Sequence, residues 1–343
     1  MSTFETMTRK PWIGTLAVAM LVHSACMIQG RGDPATDSAP DVDSDADTDW
    51  DANADTETES EASCDTAVPC DGSFNIKIPD HLAAIAQCES ITGGLRIDAA
   101  NGVAGVDLPC LTDVAGRLTI SHNYALTELD LPRLTHVGGD VNLAGNRQLT
   151  NLDGLSNLAS VDGYLDIRSN YVLSNLNGLS NLSVVGGYLG IRYDNSIIDV
   201  DGLSSLTTVG GRLDIDVGQT LTNLDGLSNL AYVGGTMSIS HNTAIANLDG
   251  LSNITYVGDT LTIRDNWALE DLNGLSQVAA VPGLLQINSN NALTNLDGLS
   301  SLSSVGDRVI IMNNSSLCQS AADALIAGVT AIGSNSYDND DSC

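Results

Sequence analysis

The sequence predicts a β-solenoid of about ten coils of 23–24 residues, with one parallel sheet face and short helical caps. Three observations predict it. An Asp-Gly-Leu or Asn-Gly-Leu triplet begins at Asp153, Asn177, Asp201, Asp225, Asp249, Asn273 and Asp297, a constant spacing of 24; related turns at Asp107 and Asp130 run at 23. An apolar-x-apolar signature opens at Leu95, Leu118, Val141, Leu165, Leu189, Leu213, Met237, Leu261, Leu285 and Val309. Aromatic content is 4% against 43% apolar, so the core is aliphatic, as stacking of like turns requires.

In chain order, residues 1–26 read as a signal peptide: Arg9 and Lys10 form a positive n-region, and Trp12 to Val22 is an apolar run short for a bilayer. His23-Ser24-Ala25-Cys26 looks like a lipobox with His23 where an aliphatic residue is usual, which makes Cys26 the candidate lipidation site. Cleavage near Ala25 or an uncleaved anchor are the alternatives. Seven cysteines is an odd number for an exported chain, and setting Cys26 aside leaves six, the natural number for three disulfides. Residues 27–69 carry thirteen Asp or Glu against one Arg and almost nothing apolar, which predicts a disordered, self-repelling acidic stalk. Its Asp-x-Asp run lacks the glycine and terminal Glu of a calcium loop. The expected location is therefore the cell envelope or surface, anchored in the outer membrane through lipid. A formal charge of −30 excludes nucleic acid as a partner.

Residues 70–343 form the predicted solenoid. In one coil, Leu261, Ile263, Asn266, Leu269, Leu272, Leu275, Val278 and Val281 are spaced by two and then by threes. The step of two fits a strand with alternate side chains on one face, and the threes fit a 3₁₀-like arc. Gly138-Gly139, Gly186-Gly187, Gly210-Gly211 and Gly234-Gly235 suit a corner needing positive φ. A short helix is expected after Asp80 as N-cap, with Leu82 and Ile85 inward.

The pattern L-x-I-x-x-N-x-x-L-x-x-L-x-G-L resembles leucine-rich repeats. Cys88-Glu89-Ser90-Ile91-Thr92-Gly93-Gly94-Leu95-Arg96-Ile97 is similar to the opening of receptor L domains, and Asn314-Ser315-Ser316-Leu317-Cys318 to their closing cap. The likeness covers roughly residues 70 to 343, with no Cys-rich module or kinase, so hormone binding does not follow from it. It implies cap disulfides Cys70–Cys88 and Cys318–Cys343, with Cys64 and Cys110 left as the third pair.

Asn123, Asn146, Asn170, Asn242, Asn266, Asn290 and Asn314 recur five residues after each strand opens, predicting a ladder whose amides satisfy backbone groups at the corner. Asp194 and Gly218 interrupt it, predicting looser coils there. The column Asp153, Asp201, Asp225, Asp249 and Asp297 is read as turn residues bonding their own backbone rather than as a metal site. His81, His122, His136 and His241 lie in three contexts, and no nucleophile elbow, phosphate loop or metalloprotease motif is present. Neither a catalytic residue nor a cofactor is expected.

Residues 70–343 hold 29 acidic and 10 basic residues, yet seven basic ones, Arg96, Arg117, Arg168, Arg192, Arg212, Arg264 and Arg308, fall at outward strand positions. The candidate ligand surface is Tyr164, Asp166, Arg168, Tyr188, Arg192, Arg212 and Asp214, with Tyr193 at its margin; Arg and Tyr dominate binding hot spots. The expected function is a surface binding or adhesion module for a protein, peptide or glycan. A spacer without a ligand and a carbohydrate-active enzyme are the alternatives.

Overall fold

Alternation in the apolar-x-apolar segments produces four-residue strands whose first and third side chains point inward. The computed structural model describes residues 64–100 and 102–343; the signal peptide, Cys26 and most of the acidic stalk lie outside them. The strands of the major sheet are β1 (Phe74–Ile76), β2 (Leu95–Asp98), β3 (Leu118–Ser121), β4 (Val141–Ala144), β5 (Leu165–Arg168), β6 (Leu189–Arg192), β7 (Leu213–Asp216), β8 (Met237–Ser240), β9 (Leu261–Arg264), β10 (Leu285–Asn288), β11 (Arg308–Met312) and β12 (Gly333–Tyr337). They are hydrogen-bonded in chain order, every pairing parallel. Register is set by the repeat: Leu165 pairs with Leu189 and Leu189 with Leu213, so like residue stacks on like. This is a β-solenoid-like parallel arrangement.

After each strand the arc turns inward every third residue. Leu269, Leu272, Leu275, Val278 and Val281 are all fully buried. Each Asx-Gly-Leu triplet from Asn177 onward is a 3₁₀ turn, as in Asp201–Leu203 and Asn273–Leu275. A second row of short parallel strands, among them Thr208–Val209 and Tyr232–Val233, lines the opposite side. One continuous aliphatic core runs from Ile76 to Ala322, and each buried Leu or Ile contributes about 1.5–3 kcal/mol.

Local geometry corrects three expectations. The Gly-Gly corners do not adopt positive φ; that conformation falls on the residue before the ladder position, including His122, Ser169, Tyr193, His241 and Asp265, with φ of 56–60°. Glycine is needed at the corners because stacked backbones touch: a Cβ on Gly186 would lie 2.2 Å from the Asp162 carbonyl oxygen. The same holds in the triplets, where a Cβ on Gly202 would lie 1.8 Å from the Leu176 carbonyl oxygen. The triplet Asp does not bond its own backbone; the N–H groups of Asp201 and Asp225 donate to Asp199 and Asn223, two residues earlier. The first helix, Pro79–Ala83, is capped at Ile78, not Asp80, because proline at its first position already lacks the N–H a cap would serve. Leu82 and Ile85 are nevertheless buried.

The ends extend past the repeats. Strand Val68–Cys70 pairs with Cys88–Ile91, so the first described strand starts within the segment assigned to the stalk. Past the helix Gln319–Gly328 the chain returns as β12 alongside β11. Disulfides Cys64–Cys110, Cys70–Cys88 and Cys318–Cys343 join these ends to the core, where outermost turns have neighbours on one side only.

Candidate functional site

The outward positions of β5 to β7 carry the sequence-predicted residues, and the structure brings most of them together. Arg192 Nη2 donates to Asp166 Oδ1 at 3.0 Å. Arg168 Nε lies 3.0 Å from Asp166 Oδ2, as a charge contact rather than an aligned hydrogen bond. Arg212 Nη2 donates to Asp214 at 3.0 Å. Further along the face, Arg96 pairs with Asp98 and Arg117 with Asp140. Asp166 and Asp214, though at outward strand positions, are each only 7% exposed, because the longer arginine stems fold over them.

Between these two carboxylates the second strand position is Gly190. Its missing side chain makes room for the neighbouring tyrosine, and a Cβ there would sit 2.0 Å from the Tyr188 hydroxyl. Tyr188 therefore lies across the sheet, with the Arg192 guanidinium 5.4 Å from its ring centroid. Its hydroxyl is buried without a hydrogen-bond partner, and burial pushes its pKa well above the tyrosine norm. Tyr188, Arg192, Arg212 and Asp214 line a shallow depression of about 260 Å³. Tyr164 stands apart, stacked under Arg117 at 5.6 Å, and Tyr193 belongs to the corner, not the face. Gly190 was absent from the sequence reading, although it is readable there as a glycine where neighbouring strands have Asp.

At the corner, each ladder amide bridges two turns. Asn146 Nδ2 donates to the Ile120 carbonyl at 2.8 Å, and its Oδ1 accepts the Asn123 N–H at 3.1 Å. Asn339 continues the ladder beyond Asn314. At the break, Asp194 is fully buried. Its Oδ1 accepts the Asn170 N–H, while Oδ2 has no partner. Burial pushes its carboxyl up to about 7, the bonds from Asn170 offsetting part of the rise and Asp166 adding to it. One turn on, Val217 takes the buried place and its N–H donates to Asn242 Oδ1 at 2.9 Å, displacing Gly218 outward at φ +106°.

Immediately after the ladder runs an outward column that the sequence reading missed: Tyr124, Arg147, Tyr171, Asn195, Gln219, Thr243 and Trp267, one per repeat, all exposed except the half-buried Thr243. Arg147 is sandwiched between Tyr124 and Tyr171, 5.3 Å from each ring centroid. Beyond Tyr171 the column drops into a concavity of about 550 Å³, lined by Asn195, Gly218, Gln219, Thr220, His241, Thr243, Asp265 and Trp267. The usable signal was three rings recurring at one repeat position.

Among the described residues, no group of three or more His, Cys, Asp or Glu is placed to hold a metal ion, and no helix is long and apolar enough to cross a membrane. Fold and surfaces together define the class: a parallel β-solenoid-like protein with a paired-charge strand face and an aromatic-rimmed corner. Neither the protein-family models nor the curated proteins give a match to this chain.

Proposed function

We propose that the chain is an exported surface-binding module, a solenoid of the leucine-rich-repeat, receptor-L-like type. In this reading Cys26 carries the lipid, residues 27–69 form an acidic stalk, and the strand face engages a protein, peptide or glycan. The observation that carries it is the Tyr188 hydroxyl, buried and unpartnered beside Asp166 and Asp214 in the depression over Gly190. A buried polar group without a partner is unfavourable unless something supplies one. A ligand group reaching into the depression would do so, flanked by Arg192 and Arg212.

The test uses the purified chain on an array of glycans and extracellular proteins. Tyr188→Phe with Arg212→Gln should weaken any captured partner about thirtyfold or more, the equivalent of ~2 kcal/mol at a hot spot. Asp225→Lys with Asp249→Lys, on the exposed turn column, should not. Equal weakening by both pairs would remove the strand face as the site. A spacer without a ligand is the second reading, favoured by the ion pairs that already satisfy Arg96, Arg117 and Arg212; an array without signal would favour it.

A further inference from the structure

The concavity at the break in the ladder differs in chemistry from the strand face. Its one large apolar surface is the ring of Trp267, 58% exposed. Everything else is amide, hydroxyl, imidazole or carboxylate. Asn195 and Gln219 each present a donor and an acceptor in one plane, Thr220 and Thr243 add hydroxyls, and His241 is held between Asp216 at 3.1 Å and Asp265 at 3.3 Å. The hollow exists because Val217 is drawn into the core and Gly218 replaces a side chain; a Cβ there would lie 2.5 Å from Asn195 Oδ1. Its volume falls within the range of small-ligand sites.

We infer that this trough, which runs along the column from Asn195 to the exposed ring of Trp267, is a binding site for a neutral oligosaccharide. A flat exposed ring stacks on the C–H face of a pyranose, and planar side chains with paired donors and acceptors match vicinal hydroxyls. A peptide docking through apolar side chains would need an apolar pocket, and the trough offers only the Trp267 ring. Asp216 and Asp265 beside His241, on a chain of charge −30, repel uronates and sulfated sugars. Asn195 and Trp267 are three repeats apart in one column, so the trough spans about 14 Å at the usual strand spacing. That length suits several linked sugars rather than one. The site goes beyond the strand-face reading and stands without it, since the two share no residue.

The chain has three tryptophans, of which Trp267 alone lies among the described residues. The experiment titrates the full chain with linear gluco-, xylo- and manno-oligosaccharides and with sulfated and uronate oligosaccharides, followed by tryptophan emission and by calorimetry. At least one neutral series should bind and shift the emission. Calorimetric affinity should fall at least tenfold in Trp267→Ala and severalfold in Gln219→Ala, both exposed positions that leave the core intact. Tyr188→Phe with Arg212→Gln should bind these sugars as the wild type does. No binding by any neutral series, equal binding of the anionic series, or full binding by Trp267→Ala overturns the inference. Loss only in the strand-face pair overturns it too, while leaving the strand-face reading in place.

Discussion

Replacing Asp194 by Asn should stabilise the protein at alkaline pH and nearly cease to matter at acid pH. Asp194 stands in the ladder where neighbouring turns have Asn, fully buried, with Oδ2 unpartnered. Asn170 and Asn242 present Nδ2 in the corresponding place and donate to Leu143 and Ile215 at 2.9 Å. Only a protonated Asp194 can do the same toward the preceding strand. Burial raises its folded pKa from 3.8 to about 7, so the folded state binds the proton more tightly than the unfolded chain does. The stability this supplies is full below the unfolded value, declines as pH rises from about 4 to 7, and is absent above. A rise of about three pH units at 1.36 kcal/mol each comes to about 4 kcal/mol. Guanidinium denaturation of wild type and Asp194→Asn at pH 5 and pH 8 measures most of it: the difference should be about 1.5 kcal/mol at pH 5, where about one of the three pH units is already lost, and about 4 kcal/mol at pH 8. His136, raised by its hydrogen bond to Asp113 and then by Asp162, also loses stabilisation as pH rises. It is present in both proteins and cancels in the difference. A difference independent of pH, or an Asn variant less stable at pH 8, would refute the reasoning.

Two further outcomes follow from the same structure and sequence. Asn266→Ala should lower stability by about 1–3 kcal/mol, because it strands the Asn242 N–H and the Ile239 carbonyl, each bonded to the Asn266 amide; an unchanged denaturation midpoint would contradict it. Cys26→Ala should abolish incorporation of a clickable fatty acid and partition with membranes, and equal labelling of both forms would dismiss the lipid anchor.

How far the sequence reached can be argued from single positions. The spacing of Leu261, Ile263, Leu269, Leu272 and Leu275 was sufficient to place strand and arc, because a side chain's inward or outward direction depends only on local backbone geometry. The ladder positions and the order of the strands were legible for the same reason, repeated every 24 residues. The extra strands at Phe74–Ile76 and Gly333–Tyr337 were not legible, since they carry no repeat signature and are held by the edge they cover.

The sequence by itself determined the period, the aliphatic core and which residues point away from it. Tertiary structure alone decided what those outward residues do, because their neighbours are 23 or 24 positions distant and meet only when turns stack. That contact buries Asp166 beneath Arg168 and Arg192, and it lays Tyr188 into the space left by Gly190. It also turns the one-residue slip at Val217 and Gly218 into a hollow beside Trp267. Each of these depends on side-chain size in the adjoining turn, a quantity that no local pattern encodes.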